Sequence, residues 1–524
     1  MPDSLLHPVP GKYRPTAVCC SIALVLLLLP RGMAAQTDPY PRDAAVDVIH
    51  YLFELEVSDT DDVLRGRTTV TIRFTRAGRT SFALDLIGPA PGNGSGQNDA
   101  AVTGMTVQEV RNAARALRFT HEADRLVIQL GSAARAGEDR TFTITYSGVP
   151  ADGLIIARNR YGERTFFGDN WPDRARHWLP AVDHPSDKAT CEFIVTAPAH
   201  YQVVGSGALV EETEVEGNRC RTHWRTSAPL ATKLMVIGVA SFAVVDLGDF
   251  NGIPQSSWTY PQDSAAGVES FAVSSRVMDF FSERIGPFAW AKMAHVQSKT
   301  RYGGMENASN IFYTEGRANR PASWSEGLVV HEMAHQWFGD AISEADWHHV
   351  WLSEGFATYF TTLYMEFTHG HDQLISRMAG DRERVVRYWH RNPNSPVLDT
   401  TIVNLNRLLS TNSYQKGSWV LHMLRHQVGE QAWWEGIRTY YERFMNGNAL
   451  SADFQAVMEE VSGQDLGGFF NQWLRQPGHP VLQWSWEWDE DRHLLQVSVR
   501  QAQESGHSFT FPLEVGIGID PSRP

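Results

Sequence analysis

From residue 45 the chain alternates apolar and polar positions with a period of two. Tyr51, Phe53, Leu55 and Val57 form one series, and Val70, Ile72 and Phe74 a second. Leu126, Ile128 and Leu130 form a third, and Phe142, Ile144 and Tyr146 a fourth. Successive side chains of a strand point to opposite faces, so this alternation predicts strands with one buried face. Between them, GPAPGNGSGQNDA at 88–100 reads as a hairpin tip or domain edge. Residues 36–246 are therefore expected to form one antiparallel β domain.

Near residue 265 the period becomes helical. Phe271, Val277, Phe280 and Phe281 recur at helical spacing in a stretch that stops at Gly286-Pro287. Helical patterns dominate the rest of 247–478, which predicts a mostly helical second domain. After it, Leu482, Trp484, Trp486 and Trp488 alternate, then Leu495, Val497 and Val499, then Leu513, Val515, Ile517 and Ile519. These predict three strands in 479–524, either packed on the helical domain or part of an incomplete sandwich. The expected fold class is multidomain α+β.

Composition narrows the partners. The formal net charge of −14 over 524 residues, with no basic run, argues against nucleic acid or an anionic membrane surface. Lys12 and Arg14 precede the apolar run TAVCCSIALVLLLL, then Pro30 and GMAAQ. That is the order of a secretory signal peptide over 1–35, and the run is short for a membrane span. The expectation is an exported protein, periplasmic or extracellular, with no stable membrane insertion after cleavage; an uncleaved anchor is the alternative. Cys191 and Cys220 would then remain, and a disulfide between them or two separate thiols are equally compatible with the sequence. Asn93-Gly-Ser is a glycosylation acceptor.

The chemistry concentrates in HEMAHQWFGD at 331–340. His331 and His335 lie one helical turn apart on one face, a spacing that suits zinc, and Glu332 beside them can reach a metal-activated water. Ser323-Trp324-Ser325-Glu326 fits a capping box for this helix, and Gly339 marks its end. A catalytic zinc needs a third protein ligand. Glu354 is the candidate, inside a second apolar helix pattern of Trp351, Phe356, Tyr359, Phe360 and Leu363. Spacing alone leaves polar residues on a helix as an alternative.

Four separated motifs in order change that. His331-Glu332-x-x-His335, followed after 18 residues by Glu354, is similar to the gluzincin metallopeptidases and most closely to the aminopeptidase N family. YGGMEN at 302–307 resembles that family's Gly-x-Met-Glu-Asn exopeptidase motif. Tyr414 in SYQKGSWVLHML stands where the family has its catalytic tyrosine. LPAVDHPSDKAT at 179–190 resembles the stretch of the β domain that enters the active site. The resemblance implies a thermolysin-like catalytic domain with one Zn2+ per chain on His331, His335 and Glu354. It implies Glu332 as general base, Tyr414 as oxyanion donor, and Glu306 as partner of the substrate's α-ammonium. Gly303, Gly304, Met305 and Asn307 would complete the substrate site, the glycines letting substrate backbone approach closely. Peptides with a free N-terminal amine are the implied substrates.

The sequence departs from the family at several points. Ser353 stands where Asn usually precedes the third ligand. Asp169 or Asn170 stands where the family commonly supplies Gln to the amine, and Asp169 would add a second negative charge there. No counterpart of the large C-terminal helical domain of many relatives is expected within these 524 residues. His348, His349, His369 and His371 read as surface or supporting residues. Asn307-Ala308-Ser309 matches a glycosylation acceptor, but a glycan would block the amine site. The competing readings are a zinc hydrolase of other specificity, endopeptidase or epoxide hydrolase, and an inactive peptide-binding homologue.

Overall fold

The alternating segments do form strands with one buried face, and Tyr51, Phe53, Val70, Ile72, Phe142 and Ile144 are all fully buried. The computed structural model describes residues 38–92, 102–113, 115–503 and 506–516. The expected signal segment and Asn93 lie outside the described residues. The large sheet of the first domain includes, in spatial order, Ala208–Val215, Arg219–Arg225, Lys188–Pro198, Val46–Glu56, Leu64–Phe74, Glu138–Val149 and Val102–Asn112. It is antiparallel except at one junction: Val46–Glu56 and Lys188–Pro198 run parallel. Smaller sheets cover it; Phe82 of Ser81–Asp85 packs on Phe142 with ring centroids 4.7 Å apart.

Cys191 and Cys220 are free thiols. Cys220 lies opposite Ala197, six residues further along the neighbouring strand than Cys191, a separation of about 20 Å along the sheet. No disulfide can span it.

The boundary falls slightly earlier than the pattern suggests. Ile237–Ala240 still belongs to the first domain, whereas Ala243–Phe250 pairs with Ile253–Thr259 and opens the second. That domain contains a five-stranded sheet the sequence did not announce, in the order Ala243–Phe250, Ile253–Thr259, Met293–Ser298, Asn310–Thr314 and Gly304–Met305. The helices follow: α1 Ser264–Phe271, α2 Ser274–Arg284, α3 Ala322–His335, α4 Trp351–His369, α5 His371–Arg391, α6 Gly417–Val428, α7 Glu430–Phe444 and α8 Ser451–Ser462. The single helix expected up to Gly286 is thus two, α1 and α2. α3 begins at Ala322 after Pro321, one residue before the expected capping box, with no side-chain cap at Pro321. Proline's fixed φ suits that entry.

Leu482–Asp489 and Leu494–Gln501 form an antiparallel hairpin that leaves Trp484 and Trp486 more than half exposed. The third strand does not form over 511–516, and Ile517 and Ile519 lie outside the described residues. The chain instead returns to the helical domain, where Phe509 stacks on Trp473 at 5.3 Å. No helix among the described residues is long and apolar enough to cross a membrane.

Candidate active site

α3 and α4 pack side by side because each carries an apolar face: Val329, Val330, Met333 and Ala334 on one, Phe356, Tyr359, Phe360 and Leu363 on the other, all buried. This packing brings α4's first turn, with Glu354, against α3's last. His331 Nε2 and His335 Nε2 are 3.2 Å apart, and Glu354 Oε2 lies 3.4 and 3.3 Å from them. Tetrahedral zinc ligands at about 2.0–2.2 Å stand about 3.3–3.6 Å from one another, so the three atoms fit the ion. Glu354 Oε2 is also a buried oxygen without a hydrogen-bond partner among the described residues, which a cation would satisfy.

The surroundings orient these atoms. His335 Nδ1 donates to the Phe338 carbonyl at 3.1 Å and lies 3.0 Å from Ser353 Oγ, which leaves Nε2 free to ligate. Ser353 therefore braces the His335 ring. Gly339, at φ +125°, makes room for this pair, since a Cβ there would meet Ser353 Oγ at 2.4 Å. Electrostatics favour a cation too. Burial disfavours charge on His335, yet Glu306, Glu354 and Glu332 outweigh it and lift its pKa to about 10. Burial likewise opposes charge on Glu354, but His335 and His331 hold it below the usual carboxylate range. Burial pushes the Glu332 carboxyl well up, and Glu306 and Glu354 add to the effect.

A cavity of about 240 Å3 opens onto this cluster. Glu306, Glu332, Gly303, Gly304, Met305 and Tyr414 line it together with the three ligand residues. Glu306, Glu332 and His335 present ligand atoms within 4.8 Å of one another. Gln336, next to His335, ties Glu306 to this helix. Its amide donates to the Glu306 carbonyl at 2.7 Å and to Asp340 Oδ2 at 2.9 Å, and it accepts from Ser309 N at 2.9 Å. Tyr414 sits in a π-helical turn, Asn412–Lys416, ahead of α6; such turns recur at functional sites. Its hydroxyl donates to Glu354 Oε1 at 2.6 Å, and its ring stacks on His331 at 5.9 Å.

Residues 48–234 match the peptidase M1 N-terminal domain, and residues 269–473 match the peptidase family M1 domain. The chain belongs to peptidase family M1. Human glutamyl aminopeptidase is 28% identical over 327 residues, 60% of this chain and 34% of its own length. Puromycin-sensitive aminopeptidase of Caenorhabditis elegans is 26% identical over 383 residues, 66% of this chain and 39% of its own. The chain thus spans little more than a third of these curated relatives. Among solved structures, the M1 zinc metallopeptidase of Deinococcus radiodurans shares the fold with a TM-score of 0.71 at 24% identity, covering 83% of this chain and 95% of that one. A mutant of that enzyme bound to a Tyr-Ser-Ala substrate gives 0.69 at 23%, covering 84% and 96%.

Not every expected site residue of this M1 chain faces the cavity. Asp169 is fully buried away from it, bonded to Arg174 Nη2 at 2.8 Å and Thr300 Oγ1 at 2.9 Å, with Arg301 Nε at 3.4 Å. With two arginines on it, Asp169 adds no free negative charge to the site. Asn170 caps backbone carbonyls of Thr232 and Met235. Asn307 is fully buried and does not line the cavity. Residues 179–190 buttress the site from outside: Lys188 Nζ donates to the Asp340, Ala341 and Gly447 carbonyls. The space beside Gly304 is filled from within, since a Cβ there would lie 2.3 Å from Glu332 Oε1. A side chain at 304 would therefore force the Glu332 carboxylate to move. His348 and His349 are buried on Asp346 and Ser451, whereas His369 and His371 are exposed. The β domain reaches the cavity instead through Trp171, which packs edge-on to Tyr302 at 5.9 Å; Leu328 and Leu409 complete the apolar wall. Of these four, Tyr302 opens the YGGMEN motif and Leu328 shares the helix face of His331 and His335, whereas Trp171 and Leu409 were not singled out from the sequence. The WP dipeptide beside Asp169 and Asn170 was the available signal.

Proposed function

We propose that the protein is an exported zinc aminopeptidase, holding one zinc per chain on His331, His335 and Glu354. The observation that carries this reading is the joint placement of Glu306 and Glu332 in one cavity with the three ligand residues. Zinc held by these residues would supply Lewis acidity, enough to lower the pKa of a water molecule toward neutral. Glu332 accepts that proton as the oxygen attacks the peptide carbonyl, and returns it to the departing nitrogen as the C–N bond breaks. Glu306 pairs with the substrate's α-ammonium and so sets the scissile bond one residue from the N-terminus. Gly304–Met305 is the edge strand of its sheet, paired among the described residues only with Phe312 and Tyr313, which leaves one side available to substrate backbone. Export is supported by the order of charged, apolar and small residues over 1–35. N-terminal sequencing of protein recovered outside the cytoplasm should begin near Gln36; an intact Met1 would refute cleavage.

Glu306→Ala should weaken cleavage of free-amine substrates by about 1.5–3 kcal/mol in kcat/KM, the scale of a charged hydrogen bond. N-acetylation of the substrate should cost the parent enzyme at least as much. Equal rates on free and acetylated peptides would favour an endopeptidase.

Tyr414→Phe keeps the ring and removes the hydroxyl. To serve the oxyanion, that hydroxyl must exchange its bond to Glu354 for one to substrate. With zinc in excess, kcat should fall by about 10²–10³ with KM little changed, as for loss of one oxyanion donor. Loss of the bond to Glu354 should also weaken zinc binding by about 10–100-fold, the usual effect of removing a ligand's supporting partner. Near-normal kcat in the variant would exclude the oxyanion role.

A further inference from the structure

The helical domain holds a second cavity of about 570 Å3, which shares no lining residue with the first. Small-molecule sites commonly enclose about 300–1,000 Å3. Val385 and Trp389 of α5, Trp419 and Met423 of α6, and Val481 and Phe511 of the C-terminal segment form its apolar wall. Its charge is one-sided. Among the described residues, the titratable ones that line it are Arg382, His390, Lys416 and His479, with no carboxylate, in a protein of net charge −14.

Lys416 is the most constrained of the four. Only 6% of it is exposed, and among the described residues its ammonium makes a single hydrogen bond, to the Gly478 carbonyl at 3.0 Å. An ammonium has three donors. Burial lowers its pKa to about 8, and no neighbouring carboxylate counters the effect. His479 is lowered as well, by burial first and then by Lys416 and His390. Trp389 Nε1 and His479 Nδ1 are buried without a partner among the described residues. Burying a cation uncompensated is costly, and buried polar atoms nearly always find a partner. A ligand bringing one negative charge and a hydrocarbon body would answer both conditions.

We propose that this cavity binds an apolar carboxylate, a fatty or aryl-alkanoic acid, with its carboxylate on Lys416 and its hydrocarbon against Trp389, Trp419 and Met423. Binding of this kind needs neither zinc nor turnover, so it stands or falls separately from the peptidase reading. Lys416 shares its π-helical turn with Tyr414, two residues earlier, which places the ligand's charged end close in sequence to the catalytic cavity.

Isothermal titration calorimetry of the full chain with decanoate, and in parallel with decanol, tests the assignment. Decanoate should saturate one site with a Kd in about the micromolar range, and decanol should bind about tenfold or more weakly. Lys416→Met should abolish the preference for the acid. Met423→Trp fills the cavity without touching Lys416 and should weaken both ligands, which guards against a lysine variant that fails to fold. Equal binding of acid and alcohol, or decanoate binding unchanged in both variants, would overturn the proposal. So would the absence of saturable binding below about 1 mM, the result expected if polypeptide fills the cavity.

Discussion

Glu332→Gln should reduce kcat by about 10²–10⁴ or more, the range for loss of a general base, while zinc stays bound. The amide is nearly isosteric with the carboxylate, so the close fit against Gly304 is kept. Glu332 is not one of the three ligand residues, and its carboxylate is buried with Glu306 and His335 nearby. Burial already favours the neutral form of the Glu332 carboxyl, so a neutral amide of the same shape should leave the melting temperature little changed. Elemental analysis, melting temperature and single-turnover rate measured on one preparation separate the outcomes. A variant that keeps zinc and stability but loses turnover fits proton transfer by Glu332. A variant that turns over normally would remove the base from the mechanism.

Glu354→Ala should act through the metal. It deletes one of the three ligand atoms and leaves His331 and His335 without the carboxylate beside both imidazoles. Two histidines alone fall short of the three protein ligands of catalytic zinc sites. The variant should lose zinc on dialysis, and turnover should fall with it until zinc is supplied in large excess. Tyr414 loses its acceptor at the same time, so the π-helical turn should loosen as well. Retention of stoichiometric zinc through dialysis would mean that another side chain completes the site, and Glu306 would be the one to examine.

The two helices that carry the proposed zinc ligands were legible because their chemistry is local. His331 and His335 need only one turn of helix, and Glu354 declares itself as a lone carboxylate in an apolar run. The strand alternation of the first domain was legible for the same reason. What escaped depends on partners distant in sequence. Met293–Ser298 is buried at all six positions, polar ones included, so it shows no period of two. Asp169 reads as a free carboxylate until the fold brings Arg301 and Thr300 to it from the second domain. Trp171 contributes shape, which no spacing rule reports. Gln336 sits inside the zinc motif itself, but its ties to Glu306 and Ser309 appear only once the loop closes over α3.

The buried lysines of the first domain bear on how this molecule can be divided. Lys188 closes three carbonyls at the exit of α3 and at Gly447, and Lys233 pairs with Glu344 at 2.7 Å with both side chains buried. A fragment beginning at Ala243 would keep Glu344 and those carbonyls but lose both lysines that answer them, and would expose the surface they cover. The β domain is in this sense part of the catalytic domain's interior. Recombination or truncation that separates the two would break these contacts on both sides. The pair therefore behaves as one structural unit, with Trp171 carrying the first domain's contribution to the cavity rim.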